Sequence, residues 1–232
     1  MFALGCIGAS GAQADGMVRL DWNGCTTSPV DKSIAPGSVS SLFVTVTGHS
    51  ATHHGYRIIV NVTPSSGPDF PDAWRFEDGG CLGPDYLTID HLLVTGGATC
   101  PNFQGPASSL QAKSYVYDSF TGRGRIQLAN VYPNSVLVAD PAKRYFLMRA
   151  IFDHSLADTG PTVAGVSCGG LEKPMCLTFE SAGYYDADDA EVPWAIDRGA
   201  VTANDPTANA ACAGATSVRS RTWGALKSLY RG

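Results

Sequence analysis

The 232-residue chain is poor in charge and has no long apolar segment. Asp, Glu, Lys and Arg together make up 16% of the residues, and the formal net charge is -5 at pH 7. A weakly acidic chain has no general electrostatic attraction for nucleic acid or for an anionic membrane, which argues against both partners. No run approaches the roughly 20 apolar residues that a bilayer span needs. We therefore expect no membrane span.

Short motifs that identify common enzyme classes are also missing. The sequence has no G-x-S-x-G for a serine hydrolase and no C-x2-C pair for a zinc-thiolate site. Gly122-Arg-Gly-Arg125 shares only its composition with a phosphate-binding loop, and we interpret it as a hairpin turn. No catalytic or cofactor-binding residue is predicted from motifs alone.

Turn-forming residues are abundant, with 26 glycines and 14 prolines. They separate short segments of alternating apolar and polar residues rich in β-branched and aromatic side chains. This pattern predicts an all-β fold, an antiparallel β-sandwich of the jelly-roll or immunoglobulin-like type. The predicted strands are residues 18–22, 41–47, 56–63, 86–94, 114–117, 125–131, 144–152 and 175–181.

The first fourteen residues are small and apolar and end in Ala12-Gln13-Ala14. This A-x-A pattern is typical of a signal-peptidase cleavage site, so we interpret residues 1–14 as a signal-peptide remnant. An alternative takes Ala3-Leu4-Gly5-Cys6 as a lipobox with Cys6 as the anchor. Residues 15–202 are predicted to form the β-sandwich domain, and residues 203–232 a connector and a basic, aromatic tail.

Six of the seven cysteines follow the predicted cleavage site. They are Cys25, Cys81, Cys100, Cys168, Cys176 and Cys212. An even number of cysteines in an exported chain predicts three disulfides and a secreted or cell-surface location. Many connectivities remain open. The shortest loops would pair Cys168 with Cys176 and Cys81 with Cys100, leaving Cys25 with Cys212.

The C-terminal tail combines aromatic and basic residues. Trp223, Leu226 and Tyr230 would lie on one side of a short helix or turn after Thr222, a residue suited to an N-cap. Arg231 belongs to a basic group that also contains Arg219, Arg221 and Lys227. We predict that Trp223, Leu226, Tyr230 and Arg231 form a contact surface. It could pack on the sandwich or bind a partner.

Four short blocks of the sequence resemble a family of secreted, uncharacterised proteins of environmental bacteria. Its features are a W-[DN]-x-C opening, a late cysteine-rich block and a C-terminal TWGxxKxxYR segment. The blocks that carry the resemblance are Val18-Arg-Leu-Asp-Trp-Asn-Gly-Cys25, Pro71-Asp-Ala-Trp-Arg-Phe76, Ser167-Cys-Gly-Gly-Leu-Glu-Lys-Pro-Met-Cys176 and Thr222-Trp-Gly-Ala-Leu-Lys-Ser-Leu-Tyr-Arg231. The resemblance implies a secreted, β-rich protein and supplies no active site. Leu171 stands where the family often carries a further cysteine, so family disulfide pairings cannot be transferred.

An acidic segment near residue 188 is a candidate calcium site. Asp186, Asp188 and Glu191 present oxygen ligands at close spacing, which is what Ca²⁺ prefers, and a bound ion would be structural. The segment lacks the glycine and the distant glutamate of an EF-hand. A solvated acidic turn is the alternative.

Three of the five histidines, His49, His53 and His54, lie in one predicted loop between two strands. They could bind a metal ion or act as general bases, or the loop could be an ordinary polar hairpin connection. Asp90-His91 and Asp153-His154 are adjacent pairs. Adjacent strand residues face opposite ways, so neither pair forms a dyad by itself.

Two functional hypotheses follow from these observations. The first is a secreted, disulfide-stabilised, non-enzymatic protein, either a binding module or a subunit of an extracellular assembly. Its partners would be itself, other extracellular proteins or glycans, and exposed edge strands offer a route to assembly. The second is a secreted hydrolase or metal-dependent enzyme that uses the loop from His49 to His54. That hypothesis requires at least two of these histidines to meet a carboxylate in a pocket.

Overall fold

The computed structural model describes residues 15–25, 29–92, 100–103, 109–136, 140–205, 207 and 212. These residues form two packed β-sheets, which confirms the predicted all-β sandwich. Two single-turn 3-10 helices lie at Asp72–Trp74 and Pro84–Tyr86. The strands are β1 Met17–Trp22, β2 Asp31–Lys32, β3 Val39–Thr47, β4 His53–Pro64, β5 Leu87–Asp90, β6 Leu110–Asp118, β7 Arg123–Val136, β8 Tyr145–Asp153, β9 Met175–Tyr185, β10 Glu191–Pro193, β11 Ala195–Arg198 and β12 Ala200–Ala203.

The smaller sheet has the order β11-β1-β3-β8-β5, and the larger sheet has the order β2-β12-β9-β4-β7-β6 with β10 paired to β9. The long strands pair antiparallel, as the sequence predicts. Two edge pairs are parallel, β1 with β11 and β12 with β2. The eight predicted strands correspond to β1 and β3 to β9. The other four strands have only two to four residues each, too few for an alternating pattern.

The core lies between the two sheets. Ile58, Val60 and Val62 of β4 alternate along the strand and are wholly buried, as their spacing predicts. The same alternation predicts a mostly solvated opposite face for β4, yet Ile59 and Asn61 on that face are only 8% exposed. Because β4 lies in the middle of its sheet, between β9 and β7, side chains of both neighbours shield this face.

Three disulfides join Cys25 to Cys100, Cys81 to Cys168 and Cys176 to Cys212. The prediction that all six cysteines are bonded is confirmed, whereas the short-loop pairings are wrong. Each observed bond joins positions whose Cα atoms lie 5.7 or 5.8 Å apart in the fold, although 36 to 87 residues separate them in sequence. Proximity in the sandwich, not along the chain, selects the partners.

The strand directions give the sandwich two distinct ends. At the histidine end, defined here by residues 47–53 and 184–194, β3 finishes and β4 begins. At the loop end, defined by residues 64–76, 118–123 and 153–175, β4, β6 and β8 finish and β9 begins. Trp22 at the end of β1 donates a 2.8 Å hydrogen bond to the carbonyl of Thr202, which ties the two sheets together near the loop end.

Residues 1–14 and 213–232 lie outside the described residues, so the signal-peptide remnant and the tail contact surface remain predictions. Within the described residues, no helix is long and apolar enough to cross a membrane.

Candidate functional site

Two of the three loop histidines meet inside the histidine end. His49 follows β3 after Gly48, whose φ of 74° turns the chain, and His53 is the first residue of β4. Their side chains approach with 3.1 Å between Nε2 of His49 and Nδ1 of His53. His54, the next residue along the strand, is half-buried. Alternation along β4 sends it to the other face.

A carboxylate completes this cluster. Oδ2 of Asp15 lies 2.8 Å from Nδ1 of His49. The same carboxylate accepts hydrogen bonds from the backbone N–H groups of Ser50 and Ala51 at 3.0 and 2.8 Å, and from the Ser50 hydroxyl at 2.7 Å. Asp15 is the residue directly after the predicted cleavage site. Asp15 is absent from the predicted site residues, because no local sequence pattern links it to a loop more than thirty residues away.

Nδ1 of His49 lies between groups of opposite character. The Asp15 carboxylate, an acceptor, is 2.8 Å away, and the indole N–H of Trp194, which can only donate, is 3.3 Å away. Nε2 of His53 has no hydrogen-bond partner among the described residues. Burial lowers the pKa of both histidines, and the adjacent His49 helps to bring that of His53 to about 4. Burial alone would raise the pKa of Asp15, but its hydrogen bonds from Ser50 and Ala51 outweigh that effect and lower it.

Aromatic rings enclose the two histidines. Phe103 stacks on His53 with 4.3 Å between ring centroids, while Tyr184 and Trp194 pack against His49 at 4.6 and 5.8 Å. His49 is 1% exposed and His53 is not exposed at all. The enzyme hypothesis required at least two of these histidines to meet a carboxylate in a pocket. The structure brings His49, His53 and Asp15 together, and it buries both imidazoles among these rings.

The candidate calcium residues have other partners. Oδ1 of Asp186 accepts 2.9 Å hydrogen bonds from the backbone N–H groups of Asp188 and Ala190, which forms the tight turn between β9 and β10. Glu191 forms an ion pair with Arg57 on β4 at 2.8 Å. Throughout the described ranges, no group of three or more His, Cys, Asp or Glu residues is arranged to hold a metal ion. The calcium site at Asp186, Asp188 and Glu191 stays a prediction.

A groove of about 460 Å³ lies at the open side of the sandwich, between the edge strands β5 and β6. Phe76, Leu87 and Ile89 provide apolar walls, and Glu77 and Lys113 provide charge. The ammonium group of Lys113 donates a 2.8 Å hydrogen bond to the carbonyl of Ile89 and so bridges the two sheets. None of the histidines lines this groove, so it does not join the His49 cluster.

Strand β6 is a long, exposed edge. In the described part of the chain it pairs only with β7, along all nine of its residues and without a bulge. Its outward face carries Leu110 and Val116, which are 81% and 47% exposed. Val131, directly opposite Leu110 on β7, is 43% exposed and extends this apolar strip.

Comparisons with known proteins give a likeness of fold at low similarity. No family model matches the sequence, and no curated protein matches it. Among solved structures, a cohesin module from a family 33 glycoside hydrolase of Clostridium perfringens has 10% identity and a TM-score of 0.41, covering 83% of this chain and 98% of that module.

Another solved structure is the second type II cohesin module of the cellulosomal adaptor ScaA scaffoldin from Acetivibrio cellulolyticus. It has 10% identity and a TM-score of 0.41, and the match covers 82% of this chain and 98% of that module. The sixth cohesin of scaffoldin B from the same organism, solved in complex with a Cel5 dockerin, has 12% identity and a TM-score of 0.40, covering 82% and 97%. Likenesses this distant support no statement about a binding site.

Proposed function

We propose that this chain is a non-enzymatic extracellular binding module, a subunit of an extracellular assembly, that engages a protein partner through strand β6. The exposed edge of β6 carries the proposal. An edge strand presents unpaired N–H and C=O groups, and an extended segment of another chain can pair with them and add a strand to the sheet.

Strand β6 lacks most of the features that usually protect an edge. Proteins protect edges with short strands, prolines, bulges, and outward or inward charges. Strand β6 has nine residues, no proline and no bulge, and its charged residues are Lys113, which points inward and is held against Ile89, and Asp118 at its last position. The other edge strands of the two sheets, β2, β5 and β11, have four residues or fewer. Among these edge strands, β6 is therefore the one long enough to offer a partner strand a continuous row of unpaired backbone N–H and C=O groups.

The disulfides support an extracellular setting. Three disulfides persist only where the surroundings are oxidising, as outside the cytosol. They hold together a chain whose core is already large, with two sheets and a continuous apolar interior. The additional covalent bonds suit a protein that must keep its shape after export.

The proposal is tested by light scattering after size-exclusion chromatography, over a range of protein concentrations. We expect Val116→Lys to weaken self-association about tenfold, the effect of a loss of about 1.4 kcal/mol, because it puts a charge on the apolar strip beside the edge. Ile196→Lys is the matched control. Ile196 is 38% exposed on the edge strand β11, and its replacement should leave association unchanged.

A partner other than a second copy is sought with the same three proteins as immobilised baits for an extracellular fraction. Retention of a protein by the wild type and by Ile196→Lys, with loss on Val116→Lys, would support the proposal. A chain that is monomeric at every concentration and retains no protein in this β6-dependent way would overturn it.

A further inference from the structure

The loop end presents several apolar side chains to solvent. Phe120 at the tip of the β6–β7 hairpin is 100% exposed, and Val166, Val163 and Leu156 in the segment after β8 are 69%, 50% and 43% exposed. Single exposed apolar residues are ordinary on a protein surface. Several at one end of a sandwich indicate a contact surface.

These loops are held in place by specific contacts. Asp118 accepts hydrogen bonds from the backbone N–H of Phe120 at 2.9 Å and from the hydroxyl of Thr121 at 2.8 Å, which fixes the hairpin tip. The segment after β8 is fixed by the disulfide from Cys168 to Cys81 and by a 2.6 Å hydrogen bond from Thr162 to Asp72. The surface is therefore preformed, and binding to it costs little ordering of the loops.

The charge of the loop end is one-sided. Among the described residues of this end, every exposed charged side chain is acidic. These residues are Asp69, Asp118, Asp158 and Glu172. Its basic residues, Arg75, Arg123 and Lys173, are half-buried, and Arg75 already pairs with Glu77 at 2.6 Å. A ligand that fits this end combines apolar side chains with positive charge.

We propose that the loop end is the docking surface for the chain's own C-terminal tail, residues 219–231. This segment has the complementary chemistry, because Trp223, Leu226 and Tyr230 are accompanied by four basic residues and by no acidic one. The inference does not depend on a partner strand pairing with the edge of β6, and it stands apart from the function proposed above.

The point at which the tail leaves the sandwich favours docking on the same molecule. Cys212 is buried against Cys176 at the start of β9, which lies at the loop end. Ten residues lie between Cys212 and Trp223, so the two Cα atoms are eleven steps apart and can be separated by at most about 40 Å, enough to cross this face of the domain. A short tether gives an effective concentration on the order of millimolar, so the tail binds in cis before it meets another copy.

Carbodiimide cross-linking of the full chain tests this inference, because it joins an amine to a carboxylate that it touches. Lys227 is the only lysine of the tail. We expect amide cross-links from Lys227 to Asp118, Asp158 or Glu172, identified by mass spectrometry of the monomeric fraction. In a mixture of ¹⁴N- and ¹⁵N-labelled protein, each cross-linked pair should carry a single isotope.

Substitutions at the loop end should change the yield of these cross-links. Phe120→Ser combined with Val166→Ser removes two exposed apolar side chains without touching the core, and we expect an approximately tenfold lower yield. Ile196→Ser, at an exposed apolar position on β11, is the matched control and should cross-link like the wild type. Lys227→Arg keeps the charge but removes the amine, and it should abolish the signal.

Other results would overturn the inference. Cross-links with mixed isotopes would show that the tail docks on a second copy. Links from Lys227 to acids of the histidine end, or no links while Lys143 still reacts with its neighbour Asp140, would show that the loop end does not hold the tail. Yields unaffected by loss of Phe120 and Val166 would remove the apolar surface from the explanation.

Discussion

The two ends of the sandwich both bury histidine, but they do so in different ways. At the histidine end, His49 and His53 hydrogen-bond to each other and are anchored by Asp15. Near the loop end, His154 lies among Trp74, Phe76 and Phe152, and neither of its ring nitrogens has a hydrogen-bond partner among the described residues. Burial lowers the pKa of His53 and of His154 to about 4 in each case.

This difference shows that an acidic residue next to a histidine in sequence does not have to be its hydrogen-bond partner in the fold. Asp153 precedes His154 but points away from it along the strand, so it raises the histidine's pKa only weakly against burial. Asp15 is far from His49 in sequence and yet makes the close contact. One site is a hydrogen-bonded network in which Nε2 of His53 alone among the imidazole nitrogens has no partner in the described residues. The other is an apolar box, formed by Trp74, Phe76 and Phe152, that contains the imidazole of His154. The same perturbation should therefore act differently on each.

Acid should produce the largest effect, because it acts on both ends at once. His53 and His154 titrate near pH 4 when folded and near 6.5 when unfolded, so the unfolded chain binds more protons between these values. Stability is complete above about pH 6.5 and declines as the pH falls toward 4, by on the order of 3 kcal/mol for each histidine. Urea unfolding at a series of pH values, followed by tryptophan fluorescence, measures this loss. A stability that stays flat from pH 7 to pH 4.5 would contradict it.

The next largest effect is expected from breaking the network at the histidine end. His49→Leu leaves the Asp15 carboxylate, Nδ1 of His53 and the indole N–H of Trp194 without their shared partner, and it should destabilise the protein by about 2–3 kcal/mol. Chemical denaturation at pH 7.5 gives the value. His154→Leu, the same replacement in the apolar box, is the matched control. Equal losses at the two positions would mean that hydrogen bonding does not distinguish the ends.

A smaller effect is expected from neutralising the anchor of the network. Asp15→Asn keeps the shape of the side chain and an acceptor oxygen, but it removes the negative charge beside His49. Because the Asp15 side chain is 21% exposed, we expect a loss of about 1 kcal/mol. Removal of the charge should also lower the pKa of His49 further, which NMR titration of the imidazole signals would detect. An unchanged His49 pKa would show that the contact between Asp15 and His49 does not form in solution.

The smallest effect is expected at the apolar box. His154→Leu exchanges a buried, unpartnered imidazole for an apolar side chain of similar volume, so stability at pH 7.5 should stay the same or rise by up to about 1 kcal/mol. The variant should also lose about half of the acid sensitivity of the wild type. Destabilisation by more than about 2 kcal/mol would indicate a polar partner for His154 and would make the two ends alike.

The sequence was sufficient to predict the sandwich and its eight longer strands, because alternation over many residues reflects a face that must be buried. Short strands such as β2 and β12 have too few residues to show an alternating pattern. Their extended conformation depends on pairing with neighbouring strands, which the local sequence does not reveal. The disulfide pairings also depend on tertiary position, as the bond between Cys81 and Cys168 shows. The histidine loop was noticed from composition, but its burial and its contact with Asp15 arise from packing between distant segments.

The disulfides divide the chain in a way that matters under tension. The loops closed by Cys25–Cys100 and Cys81–Cys168 overlap, whereas the loop closed by Cys176–Cys212 stands apart, so residues 169–175 lie inside none of them. A pull that separates the parts on either side of this segment is resisted by three strand pairs, β9 with β4, β11 with β1 and β12 with β2. No disulfide joins the two parts in the described residues, so their mechanical connection consists of the backbone of residues 169–175 and these non-covalent contacts.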